Sequence, residues 1–210
     1  MRLFLSFTGA CAISALSLAV AGHAGRPVTQ TLNPPPPPYE LCKAVGDGTI
    51  CQGTTDFSYG PIDTGDEGPA LVCGSGSDSF HVFDSAVGNS MARRIYDRNG
   101  NLVERYRYDQ VTDGQNSNPL TGASVSYTST LTNIDNLAIP GDLGSATEHT
   151  TGEFIVRPAH GSPVFMQVGR TVTTFEPDFS LDFQAGPNDF FDYAFGDTSV
   201  LGPLCAALGG

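Results

Sequence analysis

From residue 80 onward apolar and polar residues alternate in short runs bounded by glycine, proline, asparagine and aspartate, and few windows carry the 3.6-residue period of a helix. Successive side chains of a strand point to opposite faces, so this alternation marks ribbons with one buried side. In 124–132, Val125, Tyr127 and Leu131 fall on one side and Ser124, Ser126, Thr128, Thr130 and Thr132 on the other. In 164–174, Val164, Met166, Val168 and Val172 are in phase, and in 179–184, Phe179, Leu181 and Phe183 alternate with Ser180, Asp182 and Gln184. Runs at 80–86, 92–96, 102–111 and 147–157 bring the expected total to about seven or eight strands. Asn99 and Gly100 tolerate positive φ and sit between two such runs, the strongest short-range signal for a hairpin. Short connections at 113–119 and 140–144 favour strands that are neighbours in space as well as in sequence. The expected fold is all-β, an antiparallel up-and-down barrel that leaves no open edge, with a β-sandwich as the alternative. Two short helices are expected near the C-terminus, entered at Pro187 and Pro203, since proline suits a first helical turn.

The residues before the strands have a different grain. Met1 and Arg2 precede an apolar run from Leu3 to Val20, and small residues at Ala19, Ala21 and Ala24 follow the pattern of a cleaved secretory leader. Residues 1–24 are therefore assigned to a signal peptide, and the polar interruptions at Ser6, Thr8, Ser14 and Ser17 argue against a membrane anchor. In 25–41 the prolines at 27 and 34–38 favour an extended polyproline II spacer. Residues 42–210 form one β domain, and 60–76, broken by glycine and proline, reads as a surface loop.

Charge and cysteine narrow the setting. The leader removes one of ten basic residues and none of 22 acidic ones, so the remaining charge is 9 minus 22, or −13. Nucleic acid and anionic lipid are poor partners for such a surface, because both draw on clustered Lys and Arg. Cys42, Cys51, Cys73 and Cys205 are an even set in an exported chain and read as two disulfides. Three pairings are formally open; the favoured one joins Cys42 to Cys51 across a short loop and leaves Cys73 for Cys205. No C-x-x-C pair or nearby histidine suggests zinc, and 97–108 fails the calcium-loop pattern at Leu102 and Tyr108, so no metal and no cofactor is expected.

Three groups of residues are candidates for function. Tyr106, Tyr108, Tyr127, Met166, Val168 and Arg170 fall at positions that would line a barrel and bind a small apolar or amphipathic ligand. Glu104 and Arg170 interrupt apolar phases, and a buried pair of that kind would serve an isomerase or cyclase. Arg93, Arg94, Arg98, Arg105 and Arg107 make the 93–107 hairpin a basic island suited to a cell-surface interaction. No nucleophile elbow, phosphate loop or supported histidine accompanies them.

The leader, the alternating strands and the tail Leu204-Cys205-Ala206-Ala207-Leu208 together resemble a group of uncharacterised small secreted bacterial proteins, similar in architecture to allene-oxide-cyclase-like or calycin barrels. The resemblance spans roughly residues 73–208 and implies a ligand-sized barrel, secreted or held in the cell envelope. The lipocalin G-x-W signature is missing, as the chain has no tryptophan.

Overall fold

A computed structural model describes residues 28–66, 70–158, 160–194 and 196–209, and the leader lies outside this set. The strands are β1 Leu41–Val45, β2 Gly48–Asp63, β3 Val72–Cys73, β4 Phe80–His81, β5 Phe83–Tyr96, β6 Leu102–Ser117, β7 Ser124–Leu137, β8 Ala146–Arg157, β9 Phe165–Thr174 and β10 Ser180–Ala185. Helices α1 Asp189–Ala194 and α2 Gly202–Ala207 follow, the second with Pro203 in its first turn. Eight strands form one antiparallel sheet in the order β1-β2-β5-β6-β7-β8-β9-β10, while β3 and β4 pair as a small inserted hairpin. The chain is thus the all-β meander with two short C-terminal helices that alternation predicts. Among the described residues β1 and β10 are the ends of the sheet and do not pair with each other.

The turn at Asn99 and Gly100 sets the central register. The Asp97 carboxylate accepts from the backbone N–H of Asn99 and Asn101, and Gly100 adopts φ 85°, so β5 and β6 leave the turn side by side. The structure differs from expectation at several segments. Strand β2 runs for 16 residues through glycine- and threonine-rich sequence that carries little apolar signal. Residues 113–117 extend β6 instead of forming a loop, and 71–73 place Leu71 and Cys73 in the core.

Cross-strand pairs share a face, so the register defines an inner and an outer surface. The inner face carries Cys51, Arg94, Arg105, Asp135, Glu148 and Thr173 in one row, and Ala92, Arg107, Asn133, Thr150 and Thr171 in the next. One end of this face is apolar: Val82, Ala86, Val125, Tyr127, Val156 and Phe165 pack with Leu201, Leu204 and Leu208 of the C-terminal segment. The other end holds Cys51, Tyr96 and Leu102, with Leu32 from the proline-rich segment packed against them. Between the two apolar caps the inner face is polar.

Residues 28–40 do not stand off as a spacer. Asn33 exchanges backbone hydrogen bonds with Gly100 and Leu102, the Tyr96 hydroxyl donates to the Pro34 carbonyl at 2.9 Å, and Glu40 is buried against Arg94. Proline carbonyls still accept hydrogen bonds, and Leu32 supplies the apolar contact that fixes the segment as a strap. Disulfides join Cys42 to Cys51 and Cys73 to Cys205, the pairing favoured from the sequence.

Candidate functional site

Strand alternation around the β5–β6 turn sends the arginines of 93–107 to two faces. Arg94, Arg105 and Arg107 point inward, whereas Arg93 lies on the outer face beside Glu104 at 3.4 Å and over the Tyr106 ring at 5.8 Å. Arg98 is in the turn. The five residues therefore do not form one basic surface, because a period of two separates neighbours in sequence and carboxylates on adjoining strands claim the inward ones.

Those inward partners build a buried charged cluster. Arg94 Nε donates to both oxygens of Glu40, at 2.9 and 3.1 Å, and the Glu40 side chain is 0% exposed. Arg105 Nε donates to Asp135 Oδ2 at 2.5 Å, and Arg107 Nη2 lies 3.6 Å from Glu148 Oε2. Asn133, with its amide oxygen toward Arg107, accepts from Arg107 Nη2 at 2.7 Å and donates to Thr150 Oγ1 at 3.2 Å. Thr150 in turn donates to Glu148 Oε1 at 3.3 Å, and Ser90 donates to Asp109 Oδ1 at 2.6 Å. Burial pushes the Glu148 carboxyl up to about 7, with the charge of Asp135 beside it adding to the rise and Arg107 and Arg105 opposing it. Arg107 Nε, Asp135 Oδ1 and Thr171 Oγ1 are buried without a hydrogen-bond partner.

A second polar group lies within the apolar end. Asp84 Oδ2 accepts from the Tyr59 hydroxyl at 2.6 Å and from the Tyr127 hydroxyl at 3.2 Å, and Asp84 Oδ1 accepts from the Asn116 amide at 3.0 Å. Burial, followed by the neighbouring Asp84 charge, raises the Tyr127 phenol far above its ordinary range, so it stays protonated and donating.

The outer face carries two hollows. One, of about 450 Å³, is lined by Gln52, Thr54, Met91, Arg93 and Tyr106 over Gly53 and Ala92. The other, of about 470 Å³, lies further along the same strands among Asp56, Ser58, Val87, Asn89 and Thr112. Both are open to solvent, and Met91 and Val87 are 40% and 47% exposed. The hollows and the titratable cluster thus occupy opposite faces of β5 and β6. The unpartnered atoms of the cluster are sealed from solvent.

The expected ligand-lining set is divided in the same way. Tyr106, Tyr108, Met166, Val168 and Arg170 pair within outer-face rows, whereas Tyr127 is buried inside. Tyr106 borders the first hollow and Tyr108 is the cross-strand partner of Met91. Glu104 and Arg170 both lie on the outer face but do not meet. Glu104 faces Arg93, Arg170 contacts His149 Nδ1 at 3.0 Å and the Phe183 ring at 5.9 Å, and strands β7 and β8 stand between them. The shared parity of Glu104 with Leu102 is broken by a bulge between the pairs Tyr96–Leu102 and Ile95–Glu104.

Sequence reasoning assigned no role to Asp135, Glu148 and Asn133 as a group, because they lie on β7 and β8 and meet Arg105 and Arg107 only through register. Among the described residues no group of three or more His, Cys, Asp or Glu is arranged to hold a metal ion, and no helix is long and apolar enough to cross a membrane. Compared with protein-family models, curated proteins and solved structures, the chain matches none.

Proposed function

We propose that this protein is an exported binding domain that holds a small amphipathic molecule in the outer-face hollow beside Met91 and Tyr106. The observation that carries the reading is the lining of that hollow. A thioether and a phenol ring offer apolar contact, the Arg93 guanidinium lies over the ring, and Gln52 and Thr54 add hydrogen-bonding groups. Its volume of about 450 Å³ falls in the range of small-molecule sites. Export is supported by the leader pattern in 1–24 and by two disulfides, which persist in oxidising compartments. The calycin-like resemblance belongs to the same proposal, with the ligand seat moved from the polar, side-chain-filled interior to the outer face. The isomerase reading has no juxtaposed Glu104–Arg170 pair behind it, and the surface-module reading keeps only Arg93 and Arg98 outside the interior cluster.

The test uses protein purified without denaturation from culture medium, with ¹³C-labelled methionine methyls. Native mass spectrometry should find a copurifying small molecule. Titration with an alkyl alcohol and the matching alkyl carboxylate should shift the Met91 methyl and leave the Met166 methyl in place. A bare protein whose Met91 signal responds to neither probe overturns the proposal.

A further inference from the structure

The inner face brings two carboxyl groups together at a place the outer hollow does not use. Asp135 and Glu148 are direct cross-strand partners in the β7–β8 pair, where Cβ atoms stand roughly 5 Å apart. Asp135 is 1% exposed, and the Glu148 side chain is 17% exposed. Two carboxylates this close and this far from water repel one another strongly unless one is protonated. The hydrogen-bond inventory is incomplete in the same spot. Asp135 Oδ2 receives Arg105 Nε, while Asp135 Oδ1 is buried with no donor. A proton on Glu148, the cross-strand partner of Asp135, would offer a donor there, and a hydrogen bond to Asp135 is among the causes that hold the Glu148 proton in place.

The surrounding charges agree with one retained proton. Strand β6 contributes Arg105, Arg107 and Asp109, and β5 contributes Arg94. The strap contributes Glu40, and also Tyr39, whose phenol burial raises and which feels Arg94, Asp109 and Arg107. On the other side β9 presents Thr171 and Thr173, neither of which titrates. Three guanidinium groups therefore balance Glu40, Asp109 and Asp135, and the fourth carboxyl, Glu148, is neutral without leaving a net charge inside the sheet.

We propose that Asp135 and Glu148 hold a single proton between them and act as a pH-sensitive latch on the β7–β8 pair, closed in mildly acidic surroundings and released as the pH rises past neutrality. The sign follows from linkage. The folded-state affinity of Glu148 for its proton is raised from the ordinary 4.5 to about 7, so between these values the folded chain binds a proton that the unfolded chain has given up. Stability contributed by the latch is complete below the lower value and is lost as pH climbs through the upper one. The full effect is on the order of a hundredfold in the folding equilibrium.

The experiment is urea unfolding of the oxidised protein purified from culture medium at several pH values from 5 to 8, comparing wild type with Glu148→Gln. Because other groups also respond to pH, the readout is the difference between the two profiles. The wild-type midpoint should fall with rising pH by more than that of the variant, and hydrogen exchange at β7 and β8 should speed up beyond its intrinsic pH dependence. Parallel profiles overturn the latch. If Glu148→Gln does not fold, ¹³C titration of the Glu148 carboxyl in the wild type decides: an inflection near neutrality supports the latch, and one in the ordinary carboxylate range refutes it.

Discussion

Glu40 and Arg94 show how much a single inward side chain matters here. The Glu40 carboxylate is wholly buried and receives both of its hydrogen bonds from Arg94 Nε, so removing the guanidinium strands a charge in a low-dielectric interior. Arg94→Ala should therefore destabilise the fold by about 3–5 kcal/mol, read as a shift in the urea midpoint, whereas Arg93→Ala should change it by less than about 1 kcal/mol, because that pair is solvent-exposed. Gly114 makes a different point. A Cβ there would lie 2.4 Å from the Tyr127 ring, which packs directly on the glycine and is held by its hydroxyl to Asp84. Gly114→Ala should cost about 1–3 kcal/mol through overpacking, visible in thermal melts. These residue-level effects were not readable from the sequence: the buried positions of β7 and β9 include Ser129, Asn133, Asp135, Thr171 and Thr173, so hydrophobicity leaves much of the inner face unmarked.

At the scale of elements, alternation was a sound guide to where strands lie and an uneven one to which way they face: the apolar phase of β7 is its inner face, with Val125 and Tyr127 buried. The runs at 124–132, 147–157 and 164–174 all became strands. Yet the apolar phase of β9, with Met166, Val168 and Val172, is its outer face, and the bulge at Asp182 puts Leu181 and Phe183 on opposite sides. Bulges are set by pairing across strands, which no single run encodes. The strap is the other element whose behaviour depends on tertiary contacts. Gly100 has φ 85°, and a Cβ there would lie 2.2 Å from the Thr31 carbonyl. Gly100→Ala should both strain the β5–β6 turn and lift the strap, raising protease susceptibility in 28–40 as followed by mass mapping of fragments.

For the molecule as a whole, the fold class was legible because period-two patterning and turn residues recur along most of the chain, and the cysteine pairing because one loop is short. The candidate site was legible only in fragments: Tyr106 and Arg93 were singled out, while Met91 and the Asp135–Glu148 pair were not. Covalent ties matter at this scale. Cys73–Cys205 spans 132 residues and anchors the segment that caps the apolar end of the sheet. On a chain-entropy account it stabilises the fold by ~5 kcal/mol, and the paired substitution of both cysteines by serine should lower the melting temperature much more than loss of Cys42–Cys51, worth ~3 kcal/mol.

The long reach of that bond also sets an order of events in synthesis. Its first sulfur emerges early and its second only after β10 and α1 have been made, so the crosslink waits until nearly the whole chain has been synthesised. Locking of the larger core is in this sense a last covalent step, which waits on both the C-terminal residues and an oxidant.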